Sequence, residues 1–341
     1  MKSISIKDIA KRAGVVPSTV SSVLNGKAKT ARISDQLAEK IQALAKEMGY
    51  QPNYTAVSLR TGRTKILGLI IEDISNIFFA TLAKTIEDEV YSLGYKIVYC
   101  STENNDEKGS ELVNMLLQRQ VDGFLITPSQ GMQPDVSKLL GLRKPVVLID
   151  RYFPELTVPS TLVDNYAGVR SGIEHLLHRG YRNIAFVTVD LDQVQMKQRE
   201  AAYRETLANN GMVGGEEMVL QIPYTDTPGE AVKRISRFIR SASTIDAVFF
   251  ATNYLGIYGI ESLKELGMQI PTDIAIISFD DHDIFRLYNP GVTVIEQPIE
   301  DIAKTAVRLL IQQLEGKEDD TPAPELVLKA PRLLIRGSTG G

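Results

Sequence analysis

Ile6-Lys7-Asp8-Ile9-Ala10-Lys11-Arg12-Ala13-Gly14-Val15-Val16-Pro17-Ser18-Thr19-Val20-Ser21-Ser22-Val23-Leu24-Asn25 decides how the rest of the chain is read. Apolar residues at 6, 9, 10 and 13 keep helical spacing and stop at Gly14, a turn residue. A second helix is expected to open with Pro17 or Ser18 at its cap, with Val20, Val23 and Leu24 as its inner stripe. That leaves Ser18, Thr19, Ser21, Ser22 and Asn25 on the outer side. The outer face is short, polar and uncharged, which suits close approach to base edges and phosphates. A third helix is expected from about Ser34, burying Leu37, Ile41, Leu44, Ala45 and Met48 before Gly49 ends it. Two short helices about a Gly-containing turn, buttressed by a third, describe a helix-turn-helix.

The charge distribution agrees with this pattern. Net charge over the 341 residues is -4, yet residues 1–65 hold 12 Lys/Arg against 4 Asp/Glu. The remainder holds 26 basic and 38 acidic residues. A small basic head on an acidic body is the footprint of a polyanion binder, although charge alone also fits a merely solvated basic surface. No stretch reaches the ~18 uninterrupted apolar residues of a membrane span. The first residues form no apolar signal segment, and a lone Cys100 excludes an internal disulfide framework, so a cytoplasmic protein is expected. Three His and one Cys leave little from which to build a zinc site.

From Lys65 onward, short apolar runs alternate with amphipathic stretches. The runs are 66–71, 95–100, 123–126, 146–149, 183–189, 247–251 and 274–279; helices are expected over 79–93, 107–119, 167–179, 195–210, 228–241, 254–266 and 299–315. Runs apolar on both faces and separated by helices argue for parallel sheets with βαβ crossovers, in which ligands bind at the carboxyl ends of strands. Polar groups gather at such ends: Asp73-Ile74-Ser75-Asn76 with Phe78-Phe79, Asp150-Arg151, Asn253 and Asp280-Asp281, with Arg199 on a helix after the run ending near Val189. Carboxylate, amide and guanidinium groups converging on a cleft match vicinal hydroxyls, which need donors and acceptors together. Asp150-Arg151 fits an internal ion pair equally well, and Phe78 fits either a stacking platform or plain core. With no Trp in the chain, stacking on a sugar face falls to Phe or Tyr, with Tyr224 a second candidate. No nucleotide-binding glycine loop, nucleophile elbow or metal spacing is present, so no cofactor and no catalysis are expected. His175 and His178 read as the last turn of a helix.

The quoted stretch, continued by Gly49-Tyr50-Gln51-Pro52-Asn53, Ala56, Ser58-Leu59-Arg60, Gly68-Leu69-Ile70 and the C-terminal Arg336-Gly337-Ser338-Thr339, resembles the LacI/GalR family of bacterial transcription regulators over essentially the whole chain. The resemblance implies a small all-α helix-turn-helix head (1–50), a hinge helix and linker (51–64), and an α/β body (65–341). The body would consist of two doubly wound parallel-sheet lobes of periplasmic-binding-protein type. It places the N-lobe at about 65–164 and 295–321 and the C-lobe at about 165–294 and 322–341, with crossovers near Asp164, Val294 and Thr321–Pro324. It further implies a homodimer on a pseudo-palindromic double-stranded operator and a small-molecule effector between the lobes. DNA contacts would come from Ser5, Pro17, Ser18, Thr19, Ser21, Ser22 and Asn25 of the head. Asn53, Ala56 and Leu59 of the hinge would add theirs, Leu59 being a wedge between base pairs. Phe78, Asp150, Arg199, Tyr224, Asn253, Asp280 and Gln297 would hold the effector. A neutral carbohydrate is favoured over a sugar phosphate or a purine.

Departures from the family pattern bear on specificity. Ser22 stands where many members carry a base-reading Arg, and losing a bidentate Arg–guanine contact removes ~1–3 kcal/mol of discrimination at one base pair. Val57 replaces a common Arg, and Tyr254 replaces a frequent Asp beside the effector Asn. The main alternative function is a sugar-binding transport component of the same two-lobed fold, against which the basic helical head argues.

Overall fold

The computed structural model describes residues 4–50, 62–212, 215–242, 244–316 and 325–340. The hinge residues Asn53, Ala56, Val57 and Leu59 and the expected crossover at Thr321–Pro324 lie outside the described residues. The chain divides into two compact units, Met1–Thr64 and Lys65–Gly341.

In the head, α1 (Ile6–Ala13), α2 (Pro17–Leu24) and α3 (Asp35–Glu47) pack around Ile9, Ala10, Ala13, Val20, Val23, Ala38, Ile41 and Ala45. Ser5 caps α1 in a reciprocal box with Asp8, and Gly14 ends it at φ 74°, a conformation that costs glycine nothing. The cap of α2 corrects the sequence reading. Val16 is the capping residue, and Pro17 sits at the first helical position, where its missing N–H would have been unpaired anyway. Ser34 caps α3 by accepting from the Leu37 N–H.

The body runs β1 (Ile66–Ile71), α4 (Ile77–Ser92), β2 (Lys96–Ser101), α5 (Asp106–Gln118), β3 (Gly123–Ile126), α6 (Gln133–Gly141), β4 (Val146–Ile149) and β5 (Ser160–Val163). It continues with α7 (Asn165–His178), β6 (Ile184–Asp190), α8 (Val194–Asn209), β7 (Val219–Pro223), α9 (Pro228–Ser241), β8 (Ala247–Phe250), α10 (Asn253–Leu266), β9 (Ala275–Phe279), α11 (Asp283–Leu287) and β10 (Thr293–Glu296). Last come α12 (Ile299–Glu315), β11 (Leu326–Lys329) and β12 (Arg332–Leu334). One sheet has the order β11-β5-β4-β3-β1-β2 and the other β12-β10-β9-β8-β6-β7, so the two lobes repeat one topology. All pairings are parallel except that of β12 with β10. Central strands β3, β4, β8 and β9 are buried along their whole length, as parallel strands covered by helices on both faces must be.

Two lobe boundaries differ from expectation. β10 pairs with β9 through Ile295 and with β12 through Glu296, so it belongs to the C-lobe, which extends through Glu296 rather than ending at Val294. β11 pairs with β5 in the N-lobe, so 326–329 are not C-lobe residues, and the last described crossover lies between Lys329 and Arg332. Both strands are short, and β11 alternates exposed and half-buried residues at a sheet edge, without the continuous apolar run that marks a central strand.

Candidate functional sites in the head and the cleft

The two groups of candidate residues separate by unit. On the head, Pro17 and Ser18 are exposed at the start of α2, while Thr19, Ser21 and Ser22 are half-buried along it. The Asn25 side chain turns back on its own helix, donating to the Ser21 carbonyl at 2.6 Å and to Ser21 Oγ at 3.2 Å. Ser5 is likewise committed. Its Oγ donates to Asp8 Oδ2 at 2.7 Å, and its N–H donates to the same oxygen at 2.9 Å. Its first task is to start α1. Val16, which sequence reasoning passed over, stands 61 % exposed at the head of α2.

In the body, the carboxyl ends of the strands of both lobes converge on an inner cavity of about 40 Å³. Five of the seven effector candidates line it: Phe78, Asp150, Arg199, Asp280 and Gln297. Tyr224 and Asn253 do not. They line an adjoining chamber of about 330 Å³, bordered also by Asp73, Asp226 and Tyr258, with Asn76 and Tyr254 common to both spaces.

Arg199 is the fixed cation of the cavity. It is 2 % exposed, donates to Asn165 Oδ1 at 2.7 Å and to the Ala251 carbonyl at 2.6 Å, and lies 3.6 Å above the Phe279 ring. Asp280 accepts from Gln297 Nε2 at 2.6 Å. Burial raises the Asp150 carboxyl to about 7, with Arg199 opposing and the neighbouring Asp280 adding to the shift. Burial raises Asp280 too, against Arg199 and the Gln297 hydrogen bond. Two carboxyls crowded into a site with little water cannot both ionise freely.

Asp150 also realises the ion-pair alternative, since Arg151 Nε lies 3.2 Å from Asp150 Oδ2. Arg151 does more than that. It pairs with buried Glu72 after β1, donates to Asn104 Oδ1 after β2 at 2.8 Å, and reaches the Pro128 carbonyl after β3 at 3.4 Å. One guanidinium thus ties the ends of four strands and positions Asp150. Asp281 points elsewhere, pairing with Arg336, so the adjacent carboxylates form no acid–base pair. His175 closes the last turn of α7 and contacts Thr339 Oγ1 at 2.9 Å.

Sequence reasoning missed Gln193 and Gln195, which follow β6 and line the cavity. The rule that ligands sit beyond carboxyl strand ends would have found them in Asp190-Leu191-Asp192-Gln193-Val194-Gln195. Gln195 Oε1 and Gln297 Oε1 are buried acceptors without a partner among the described residues. Among the described residues, polar contacts cross between the lobes. Asn76 and Asn253 exchange amide hydrogen bonds at 3.1 and 3.4 Å, Gln193 Nε2 donates to Asn104 Oδ1 at 3.1 Å, and Gln130 Nε2 donates to Asp192 Oδ2 at 2.8 Å.

Comparison with known proteins supports the same division. Residues 5–53 match the lacI family of bacterial regulatory proteins, and residues 173–339 match a periplasmic binding protein-like domain. The chain is 32 % identical to the ribose operon repressor of Halalkalibacterium halodurans, over 99 % of this chain and 97 % of that protein. Its fold matches the lac repressor dimer bound to operator and an anti-inducer with a TM-score of 0.87 at 21 % identity, covering 99 % of each chain. It matches the transcriptional regulator CelR in complex with cellobiose with a TM-score of 0.72 at 25 % identity, over 98 % of this chain and 99 % of that one. A helix-turn-helix head joined to a two-lobed α/β body, matched along its length by such proteins, belongs to the LacI family of DNA-binding transcription regulators.

Proposed function

We propose that this regulator binds its operator as a homodimer and that a neutral, hydroxyl-rich effector, a sugar, occupies the cleft and alters operator affinity. The observation that carries the effector class is the acceptor surplus of the inner cavity. Asp150 and Asp280 converge there with the unpartnered Gln195 Oε1 and Gln297 Oε1, and Arg199 is already engaged on both sides. Buried acceptors call for donors, and a polyol supplies them. A phosphate or carboxylate would bring negative charge against two buried carboxyls. That ribose and cellobiose are named for two similar proteins agrees with this reading.

Operator contact falls to the outer face of α2 in the major groove. Minor-groove contact is assigned to Asn53, Ala56 and Leu59, with Leu59 as a wedge between base pairs. Such a regulator works in the cytoplasm, and no helix among the described residues is long and apolar enough to cross a membrane. An effector can switch operator affinity only if it favours one of two lobe arrangements.

The test is thermal unfolding of the full chain against sugars, sugar phosphates and nucleobases. A ligand at ~100 times its dissociation constant stabilises its domain by ~2.7 kcal/mol. A neutral sugar should raise the melting temperature in wild type and not in Asp280→Asn, whose retained shape separates loss of charge from loss of fold. A shift confined to phosphorylated or purine ligands would overturn the assignment.

A further inference from the structure

The cap of α2 is chemically odd. The position before a helix favours Ser, Thr, Asp or Asn, whose side chain pairs a free N–H of the first turn. Here it is Val16, with no side-chain cap bond, followed by Pro17. Val16 is the only large apolar residue of the described head that is exposed, at 61 %, while the head core is fully packed without it. An apolar side chain left mostly in water at a position that prefers a hydroxyl adds little to folding. Its placement instead fits recognition. In a helix-turn-helix the second helix enters the major groove, and the residues at its N-terminal end reach base edges.

The rest of the face sharpens the argument. α2 carries no charged residue, Ser22 offers a single hydroxyl, and Asn25 and Ser21 are hydrogen-bonded to each other. None of the exposed groups of α2 can make the bidentate contact by which an Arg reads guanine. The major groove offers one feature that needs no hydrogen bond, the 5-methyl group of thymine, and apolar side chains read it by contact. We infer that Val16, next to Pro17 at the start of α2, reads a thymine methyl group in each operator half-site and so sets base preference at that step.

The experiment begins with sites selected from random double-stranded DNA by the wild-type full chain. These should carry one invariant thymine per half-site at the step facing the start of α2. Replacing those thymines with deoxyuridine removes only the methyl groups. Burying one methyl is worth a factor of about 4, so two symmetric replacements should weaken binding on the order of 15-fold. Val16→Ser is the decisive variant because it supplies the missing cap hydroxyl, so the head keeps or gains stability and any loss of binding is not loss of fold. It should bind thymine and deoxyuridine sites equally and select sites with that position relaxed. Three results would overturn the inference: no invariant thymine in the half-site, a wild type indifferent to deoxyuridine, or a deoxyuridine penalty undiminished in Val16→Ser. General failure of DNA binding reads differently, since it would remove affinity for every sequence together.

Discussion

Asp150 and Asp280 hold equivalent places in the two lobes. Each follows the third strand of its sheet order, and each donates its backbone N–H to the neighbouring strand, Asp150 to the Thr161 carbonyl at 3.1 Å and Asp280 to the Ile295 carbonyl at 2.9 Å. Each lies in the left-handed backbone region, at φ 67° and 69°. A non-glycine residue there is uncommon, though Asp tolerates it better than most, and such strain concentrates at binding sites. The repeated fold has thus placed one carboxylate from each lobe against a common cavity, and the charge of Arg199 acts on both.

The raised Asp150 carboxyl makes stability depend on pH with a definite sign. Its value in the fold, about 7, exceeds the ordinary 3.8, so between those limits the folded state binds more protons than the unfolded chain. Its stabilising contribution is therefore full below about pH 4 and is lost as pH rises through 7. His175 works the other way, since burial and the adjacent Arg179 lower its affinity for a proton and acid opposes its folded environment. The difference between wild type and Asp150→Asn isolates the carboxyl. The variant should melt higher than wild type at pH 8, with the gap closing towards pH 5. A constant gap across that range would refute the buried-carboxyl assignment.

Arg199 should be the most costly residue of the cavity to remove. Arg199→Met keeps much of the stem volume but leaves Asn165 Oδ1 and the Ala251 carbonyl without their donor and two carboxyls without their cation. Breaking a buried charge cluster in this way costs ~3–5 kcal/mol. Urea unfolding should show that loss, and adding Asp150→Asn should restore part of it. Additive losses in the double variant would mean that the two side chains do not interact.

Ser5, a candidate DNA contact, has a structural task of its own. As the N-cap of α1 it holds Asp8 and the first turn. Ser5→Ala should lower the stability of the head by about 1 kcal/mol. It should weaken binding to specific and random DNA by similar factors, because it changes how much of the head is folded rather than which bases are touched. A selective loss on the operator alone would show that Ser5 reads DNA directly.

What could be read beforehand follows a physical division. The three head helices, the long α4, α5, α7 and α8, and the central strands carried their own period or apolar run, so local pattern sufficed. β5, β7, β10, β11 and β12 did not, being three to five residues long and defined by the strand beside them rather than by composition. The same limit applied at the cleft. Asp150, Arg199, Asp280 and Gln297 were legible as polar groups in a family-like frame. Asn253 was legible too, yet its amide is held by Asn76, a partner 177 residues away that only the folded chain reveals. Gln195 lay within reach of the strand-end rule; that its Oε1 is a buried acceptor without a partner among the described residues is a property of packing.

The exchange of hydrogen bonds between Asn76 and Asn253 leads to a kinetic prediction. The inner cavity, at about 40 Å³, has room for a few waters and not for a sugar ring, so the lobes must part before a ring can reach Asp150 and Asp280. Asn76, Asn253, Gln193 and Gln130 hold the contacts that parting would break. Asn76→Ala removes the reciprocal pair and the cap that Asn76 Oδ1 gives the Phe78 N–H, while leaving Asp150, Asp280, Gln195 and Gln297 in place. It should speed both association and release of a cleft ligand by several-fold, as measured by stopped-flow, while changing equilibrium affinity less than either rate. An unchanged association rate would mean that the ligand enters from the larger chamber beside Tyr224 and Tyr254 with the lobes still joined. The amide pair would then be a packing contact and not a latch.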